Sequence, residues 1–439
     1  MIGVRLGIAE DPAVLPDGWE EGALAEYIER PEYGFTDSAS NDPSGTKFLR
    51  ITDIQDGQVD WNTVPYCDCP RDVVESKRLL PGDIVVARIG ATTGKSFFID
   101  SPPHEAVFAS YLIRLRTRET KLLPRFLYFY VQTTAYWAHV DRHKGDRLKG
   151  GVNIPVLESL PVVVPPVDEQ VRICRVMDCV DAAVRSEAAQ EIVATAVKRA
   201  VMNELFTRGL RGEAQKETEI GLVPESWNVA TIGDVALQTQ YGLSLRGSTQ
   251  GRFPILRMNC QDDGRVVFRD LQYVDIDEAT FSAFKLDDGD LLFNRTNSIE
   301  HVGRMAIFEG TRESVFASYL VRLTVDARRC LPRFLNYYMN RREVQQDIKR
   351  LASRAVGQAN INATKLRTIA FPLPASLDEQ REIIAILAAL DSKIDLHRRK
   401  RAVVEEVFNS LLHKLMAGEI RVDQLDLSAL TGSRPEATA

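Results

Sequence analysis

Four groups of residues have types and spacings that could do chemistry, and each lacks part of what the chemistry needs. Gly90-Ala-Thr-Thr-Gly94-Lys95-Ser96 outlines a phosphate-cradling loop after the apolar run Asp83–Arg88. Such a loop needs four residues between its glycines and must open a helix whose amides hold phosphate. Here there are three, and Ser96-Phe-Phe-Ile continues as strand before Pro102 and Pro103 stop it, so nucleotide binding is not expected. Asp60 with Glu75-Ser76-Lys77 has the elements of a nuclease, two carboxylates to hold Mg²⁺ and a lysine to steady the attacking water. The second half of the chain has nothing comparable at 281–286. The prolines at 102–103 and 165–166 lack the polar and aromatic neighbours of an amino-methyltransferase motif, and there is no glycine-rich loop for S-adenosylmethionine. Cys67, Cys69, Cys174, Cys179, Cys260 and Cys330 form neither two CxxC pairs nor a set with histidines, so reduced thiols are expected and no metal site.

What remains is a set of cations and amides suited to nucleic acid. Arg50 and Arg257 occupy matching positions in a repeated Leu-Arg strand and either reach a guanine edge as bidentate donors or form ion pairs. Lys95 and Arg304 each follow a glycine, in a turn that either presents the cation to DNA or simply closes a hairpin; Arg295 lies in the second of these loops. Two locally basic stretches, 139–149 with Lys144, Arg147 and Lys149, and 341–367 with Arg350 and Arg354, could supply phosphate contacts that release counterions. Asn153 and Asn362, in turns after those stretches, are equally turn formers or adenine readers. The 439 residues carry 55 Lys+Arg against 61 Asp+Glu, a net −6, which excludes a uniformly basic coat and makes any DNA surface local.

These residues are positioned by a duplication. VFASYLIRL at Val107–Leu115 returns as VFASYLVRL at Val315–Leu323, and LPRFLYFY from Leu123 returns as LPRFLNYY from Leu331. The pairs Trp19 and Trp227, Gly82-Asp83 and Gly289-Asp290, and Asp168-Glu169-Gln170 and Asp378-Glu379-Gln380 keep the same order. At 44% hydrophobic and 26% charged, this length suggests two or more cores. Each copy reads as a mixed α/β globule of short strands, with a helical stretch around Pro124–His139 in the first. Prolines end the last strand, and a long helix follows, Glu169–Leu210 in copy one and Glu379–Leu415 in copy two.

Apolar residues in the long helices recur at alternating steps of four and three, which is coiled-coil spacing. A helix of about 40 residues is on the order of 60 Å long. The expected plan is therefore a recognition globule at 1–167, a helical spacer at 168–212, a second globule at 213–377, a second spacer at 378–422 and a flexible tail at 423–439. Two such helices must pair antiparallel if the second returns the chain, giving approximate two-fold symmetry. One register sets Ile173 opposite Leu415 and brings Glu187 to Arg401 and Glu191 to His397. No apolar run approaches the roughly 18 residues of a membrane span, and no signal segment opens the chain, so a cytoplasmic protein without membrane contact is expected.

The helix starts at Asp168-Glu169-Gln170 and Asp378-Glu379-Gln380, together with the connector LFTRGLRG from Leu205 leading to Val223-Pro224-Glu225-Ser226-Trp227, resemble the specificity subunit of type I restriction-modification systems over nearly the whole chain. The resemblance implies two target-recognition domains that each read half of a bipartite site in double-stranded DNA, and helical spacers that act as a ruler. It also implies a non-catalytic subunit that recruits two methyltransferase and two restriction subunits. S-adenosylmethionine, ATP and Mg²⁺ would then belong to those partners. Two other classes are a specificity scaffold of another phage-defence DNA-modification complex and a self-contained nuclease or methyltransferase; the missing cofactor motifs speak against the last.

Overall fold

A computed structural model of the chain describes residues 15–55, 57–143, 151–355 and 358–425. It divides into two compact units, 1–188 with 399–439, and 189–398. Each contains one globule and one half of each long helix, which run Val167–Arg208 and Leu377–Met416.

In the first unit a four-stranded antiparallel sheet runs in the order Glu32–Tyr33, Leu112–Leu115, Ile84–Ala87, Ser96–Phe98. Beside it, Thr46–Leu49 pairs parallel with Ala106–Phe108. The repeated VFASYL segment thus feeds both sheets, Val107 and Phe108 one and Leu112 the other, with a tight turn at Ala109-Ser110-Tyr111 between them. All four residues of Leu112–Leu115 are buried, so the strand can carry Arg114 only because partners surround it. Its guanidinium bonds Glu32 at 2.6 Å and the carbonyls of Arg78 and Ser76. Burial still pushes that guanidinium below its ordinary value, with Arg116 next in effect.

The second unit repeats this plan. Ala236–Tyr241, Leu320–Val325, Leu291–Asn294 and Met305–Ile307 form the corresponding sheet, extended here by Arg265–Val266 and Gln261–Asp262. Phe253–Leu256 pairs parallel with Val315–Phe316. A further three-stranded sheet, Thr296–Asn297, Gln358–Asn360 and Ser353–Ala355, is built on the longer loop of this copy. The helical stretch expected around Pro124–His139 is two helices, Pro124–Tyr130 and Thr134–His143, because the Thr133 hydroxyl takes the Tyr136 amide and caps a fresh start.

Within each unit the halves of the long helices run antiparallel. Ile173, Cys174, Val176 and Met177, near the start of the first helix, share a core with Leu412, Leu415 and Met416, at the end of the second. In the other unit Met202, Leu205 and Phe206 share a core with Ile383 and Leu387. Lys198 interrupts this apolar seam, and a buried cation needs a partner. It has Asp391 at 2.6 Å, whose other oxygen accepts from the Tyr337 hydroxyl at 2.6 Å. Glu191 accepts from Nε of Arg398 at 2.8 Å. Arg401 lies 3.4 Å from Glu405 on its own helix, and Glu187 is half-buried.

Candidate nucleic-acid interface

The best-defined constellation occurs once in each unit and is built from the repeat. Tyr33-Gly34 and Tyr241-Gly242 precede chain that runs against the VFASY turn. A Cβ on Gly34 would lie 2.2 Å from the Phe108 carbonyl oxygen, and one on Gly242 would lie 2.4 Å from those of Phe316 and Ala317, so only glycine permits the approach. The approach holds each tyrosine ring beneath an arginine: the Arg88 guanidinium is 4.6 Å from the Tyr33 centroid and that of Arg295 is 4.7 Å from Tyr241. Nη1 of Arg88 donates to the Ser110 carbonyl and Nη1 of Arg295 to that of Ser318. Nε of both arginines is buried and unpartnered.

The tyrosine hydroxyls tie in a further element. Each accepts an amide at the start of a short helix, from Ile154 to Tyr33 at 3.3 Å and from Ala363 to Tyr241 at 2.9 Å. Those helices are capped by Asn153 and Asn362, whose Oδ1 atoms accept from Val156 N and Lys365 N. Both asparagines therefore act as helix caps. Next to each arginine projects the tyrosine of the VFASY turn, Tyr111 at 54% exposed and Tyr319 at 47%. An exposed ring on a rigid turn beside a fixed, half-buried guanidinium can stack on or flank a base while the arginine donates to an acceptor.

Of the other expected residues, Lys95 and Arg304 adjoin this constellation. Lys95 is exposed on the hairpin corner, where Gly94 N bonds the Ala87 carbonyl one residue before Arg88. Arg304 holds the same place, with Gly303 N bonding the Asn294 carbonyl. Arg50 is engaged by the Asp53 carboxylate through Nε and Nη2 at 3.1 and 2.7 Å, which raises its pKa. Arg257 donates Nη2 to the Asp270 carbonyl, and with Arg304, Asn294, His301 and Tyr319 it lines one concavity of about 750 Å³. Arg350 is exposed and pairs with Asp347 one helical turn earlier. Arg354 lies in the strand Ser353–Ala355, and Lys144, Arg147 and Lys149 lie outside the described residues.

Two members of the expected basic stretches are not surface cations. His139 is buried, with Nε2 2.8 Å from the Val156 carbonyl oxygen. Arg341 stacks on Phe206 and Tyr338 and donates to Asn203, and burial lowers its pKa. Charge type in a sequence reports neither depth nor partner, and both side chains are consumed in packing. The would-be nuclease residues are dispersed among separate tasks: Asp60 caps the Asn62 amide, Glu75 lies 3.9 Å from Arg71, and Lys77 pairs with Glu32. Gly90–Ser96 closes a hairpin between Ile84–Ala87 and Ser96–Phe98 and opens no helix. Among the described residues no group of three or more His, Cys, Asp or Glu could hold a metal, and no helix is long and apolar enough to cross a membrane.

Arg88, Tyr33, Tyr111, Tyr241 and Tyr319 were not singled out from sequence. The available signal was the Tyr-Gly dipeptide recurring 208 residues apart, together with the tyrosine inside the repeated VFASY motif.

Comparison with known proteins gives a consistent picture. The family model described as type I restriction modification DNA specificity domain matches residues 16–194 and again 224–406. A provisionally assigned type I restriction enzyme MjaX specificity subunit of Methanocaldococcus jannaschii is 32% identical over 203 residues, covering 46% of this chain and 48% of that protein. The chain thus spans about half the length of that relative. The EcoKI specificity subunit of Escherichia coli is 25% identical over 402 residues, 85% of this chain and 82% of its own. The crystal structure of the type I restriction-modification S subunit from M. genitalium superposes with a TM-score of 0.58 over 92% of this chain and 97% of that one, at 13% identity. That likeness concerns the fold.

Proposed function

Since the chain belongs to the type I restriction modification DNA specificity family, we propose that it is the sequence-reading subunit of a type I restriction-modification complex and recognises a bipartite site in double-stranded DNA. The observation that carries the reading is the repeated constellation: Arg88 over Tyr33 beside exposed Tyr111, and Arg295 over Tyr241 beside exposed Tyr319. One reader per unit suits a site split into two halves, since successive major-groove faces recur about 34 Å apart along DNA.

The division of labour follows from what each group can do. Exposed Lys95 and Arg304 at the hairpin corners suit phosphate, which fixes register without carrying sequence. Arg88 and Arg295, held by a carbonyl and a ring, lose little freedom on meeting a base edge and so discriminate more sharply than a free side chain. The chain itself performs no bond chemistry. Two methyltransferase subunits and two restriction subunits supply it, with S-adenosylmethionine, ATP and Mg²⁺ bound by them. Coexpression with the methyltransferase subunit, copurification and sequencing of methylated adenines tests the proposal. A bipartite methylated motif that depends on this chain supports it, and methylation without a motif, or a failure to copurify, refutes it.

A further inference from the structure

Where the two readers share residues they share scaffold, and where they differ on that scaffold they can read different halves. The sharpest difference lies in the concavity of the second unit beside Tyr319. Its wall carries Gln261, Asn294 and His301, whereas the first unit has Ile54 and Ala87 at the positions of Gln261 and Asn294. Polar side chains have replaced apolar ones on a common backbone, and the fold does not satisfy them. Gln261 Nε2 donates to the Leu292 carbonyl at 2.8 Å, which fixes the amide's orientation and leaves Oε1 buried without a donor. Asn294 is 1% exposed with Oδ1 likewise unpaired, as is Nδ1 of His301. Arg257 Nε, on the same wall, is a buried donor without an acceptor.

Buried polar atoms left unpaired in one concavity are rare enough in folded proteins to call for an external partner. Two of the four unpaired side chains offer carbonyl oxygens, so the missing partner donates hydrogens; the unpaired Arg257 Nε–H shows that it accepts as well. We infer that this concavity of the second recognition unit holds a base edge through its exocyclic amino group, whose one hydrogen free of base pairing is accepted by Gln261 or Asn294, the accepting oxygen turning out of the wall as the base enters. The amino group is N6 of adenine or N4 of cytosine, both presented in the major groove, and adenine adds an N7 acceptor for the arginine. Tyr319 and Arg304 at the rim suit the neighbouring base and phosphate. The inference rests on the proposed DNA-reading function and assigns to particular residues the reading of one base.

The first unit supplies the test variants, because it folds with an isoleucine and an alanine at these places. The full chain, assembled with its methyltransferase subunits, is used in competition binding on its mapped site. The duplexes carry at each position of the second half either the natural base or an analogue lacking the amino group, purine for adenine and pyrimidin-2-one for cytosine. At one position the analogue should cost the unmodified protein about tenfold or more in affinity. The same replacement should cost one of the variants Gln261→Ile and Asn294→Ala little, which identifies the acceptor, and the base at that position identifies the donor. Equal losses in the variants and the unmodified protein, or insensitivity at every position, overturn the inference. Absence of any preferred bipartite site in the unmodified complex would instead overturn the proposed function, and this inference with it.

Discussion

The indole Nε1–H of Trp19 donates to Oε2 of Glu169 at 3.1 Å across 150 residues of sequence, and Trp227 makes the same bond to Glu379 at 3.1 Å. Beside each, a fully buried glutamine completes the joint. Gln170 accepts from the Leu123 amide and donates to the carbonyls of Lys121 and Pro165; Gln380 accepts from Leu331 and donates to Arg329 and Pro374. The repeated Trp, Leu-Pro-Arg-Phe and Asp-Glu-Gln motifs are thus one latch that fixes a long helix to its globule.

Replacing Gln170 by Ala strands an amide and two carbonyls and should destabilise the first unit by about 1–3 kcal/mol, with the same cost in the second unit for Gln380→Ala. Hydrogen exchange resolves the two: protection at Leu123 should fall in the first variant and at Leu331 in the second. Loss of protection in both units from one substitution would show that the latches are not local.

The buried charges on the helical seam behave differently. Asp391→Leu leaves Lys198 only the exposed Asp263 carboxylate at 3.6 Å and should cost about 3 kcal/mol, whereas adding Lys198→Met should recover most of it. Chemical denaturation checks both, and a double variant as unstable as the single one contradicts the assignment.

Burial pushes the thiols of Cys67, Cys174 and Cys330 up to about 12 from an ordinary 9.0. They stay protonated in the folded chain over a range where they ionise once unfolded. Stability is therefore untouched by them below about pH 8 and falls as pH rises from about 9 towards 12. At pH 8 alkylation of the native protein should mark exposed Cys179 first, and equal labelling of buried Cys67, Cys174 and Cys330 would contradict this.

Much of this organisation was legible in the sequence, because the repeat preserves residue identity at aligned places and the four-three spacing runs along each long helix, interrupted only by Glu187, Glu191 and Lys198 in the first and His397 and Arg401 in the second. The contacts were not. Nothing local to Trp19 names Glu169, and Arg88 reads as the polar end of an apolar strand until Tyr33 is folded beneath it. Arg341 and His139 carry the signature of a basic surface, yet His139 is buried and Arg341 is half-buried against Phe206 and Tyr338, since tertiary packing and not residue type decides exposure. Lys198 could have been flagged by its place in an apolar seam, although its partner Asp391 lies outside that seam's spacing.

Lys95→Ala and Arg304→Ala should weaken DNA binding with little change in sequence preference, each lowering the salt dependence by about one phosphate's worth. Arg88→Ala and Arg295→Ala should instead relax preference at one position of their own half-sites. Titration over a range of salt on matched and mismatched duplexes separates the two classes. An unchanged salt slope for Lys95→Ala would leave that residue as the corner of a hairpin and nothing more.

The central claim, that each globule independently reads half of one site, is tested most directly by exchanging residues 10–165 for the recognition domain of another specificity subunit. The chimera is assembled with the same methyltransferase and its methylated motif sequenced. One half of the motif should change to that of the donor while the other half stays as it was. A motif altered in both halves, or in neither, would contradict the account.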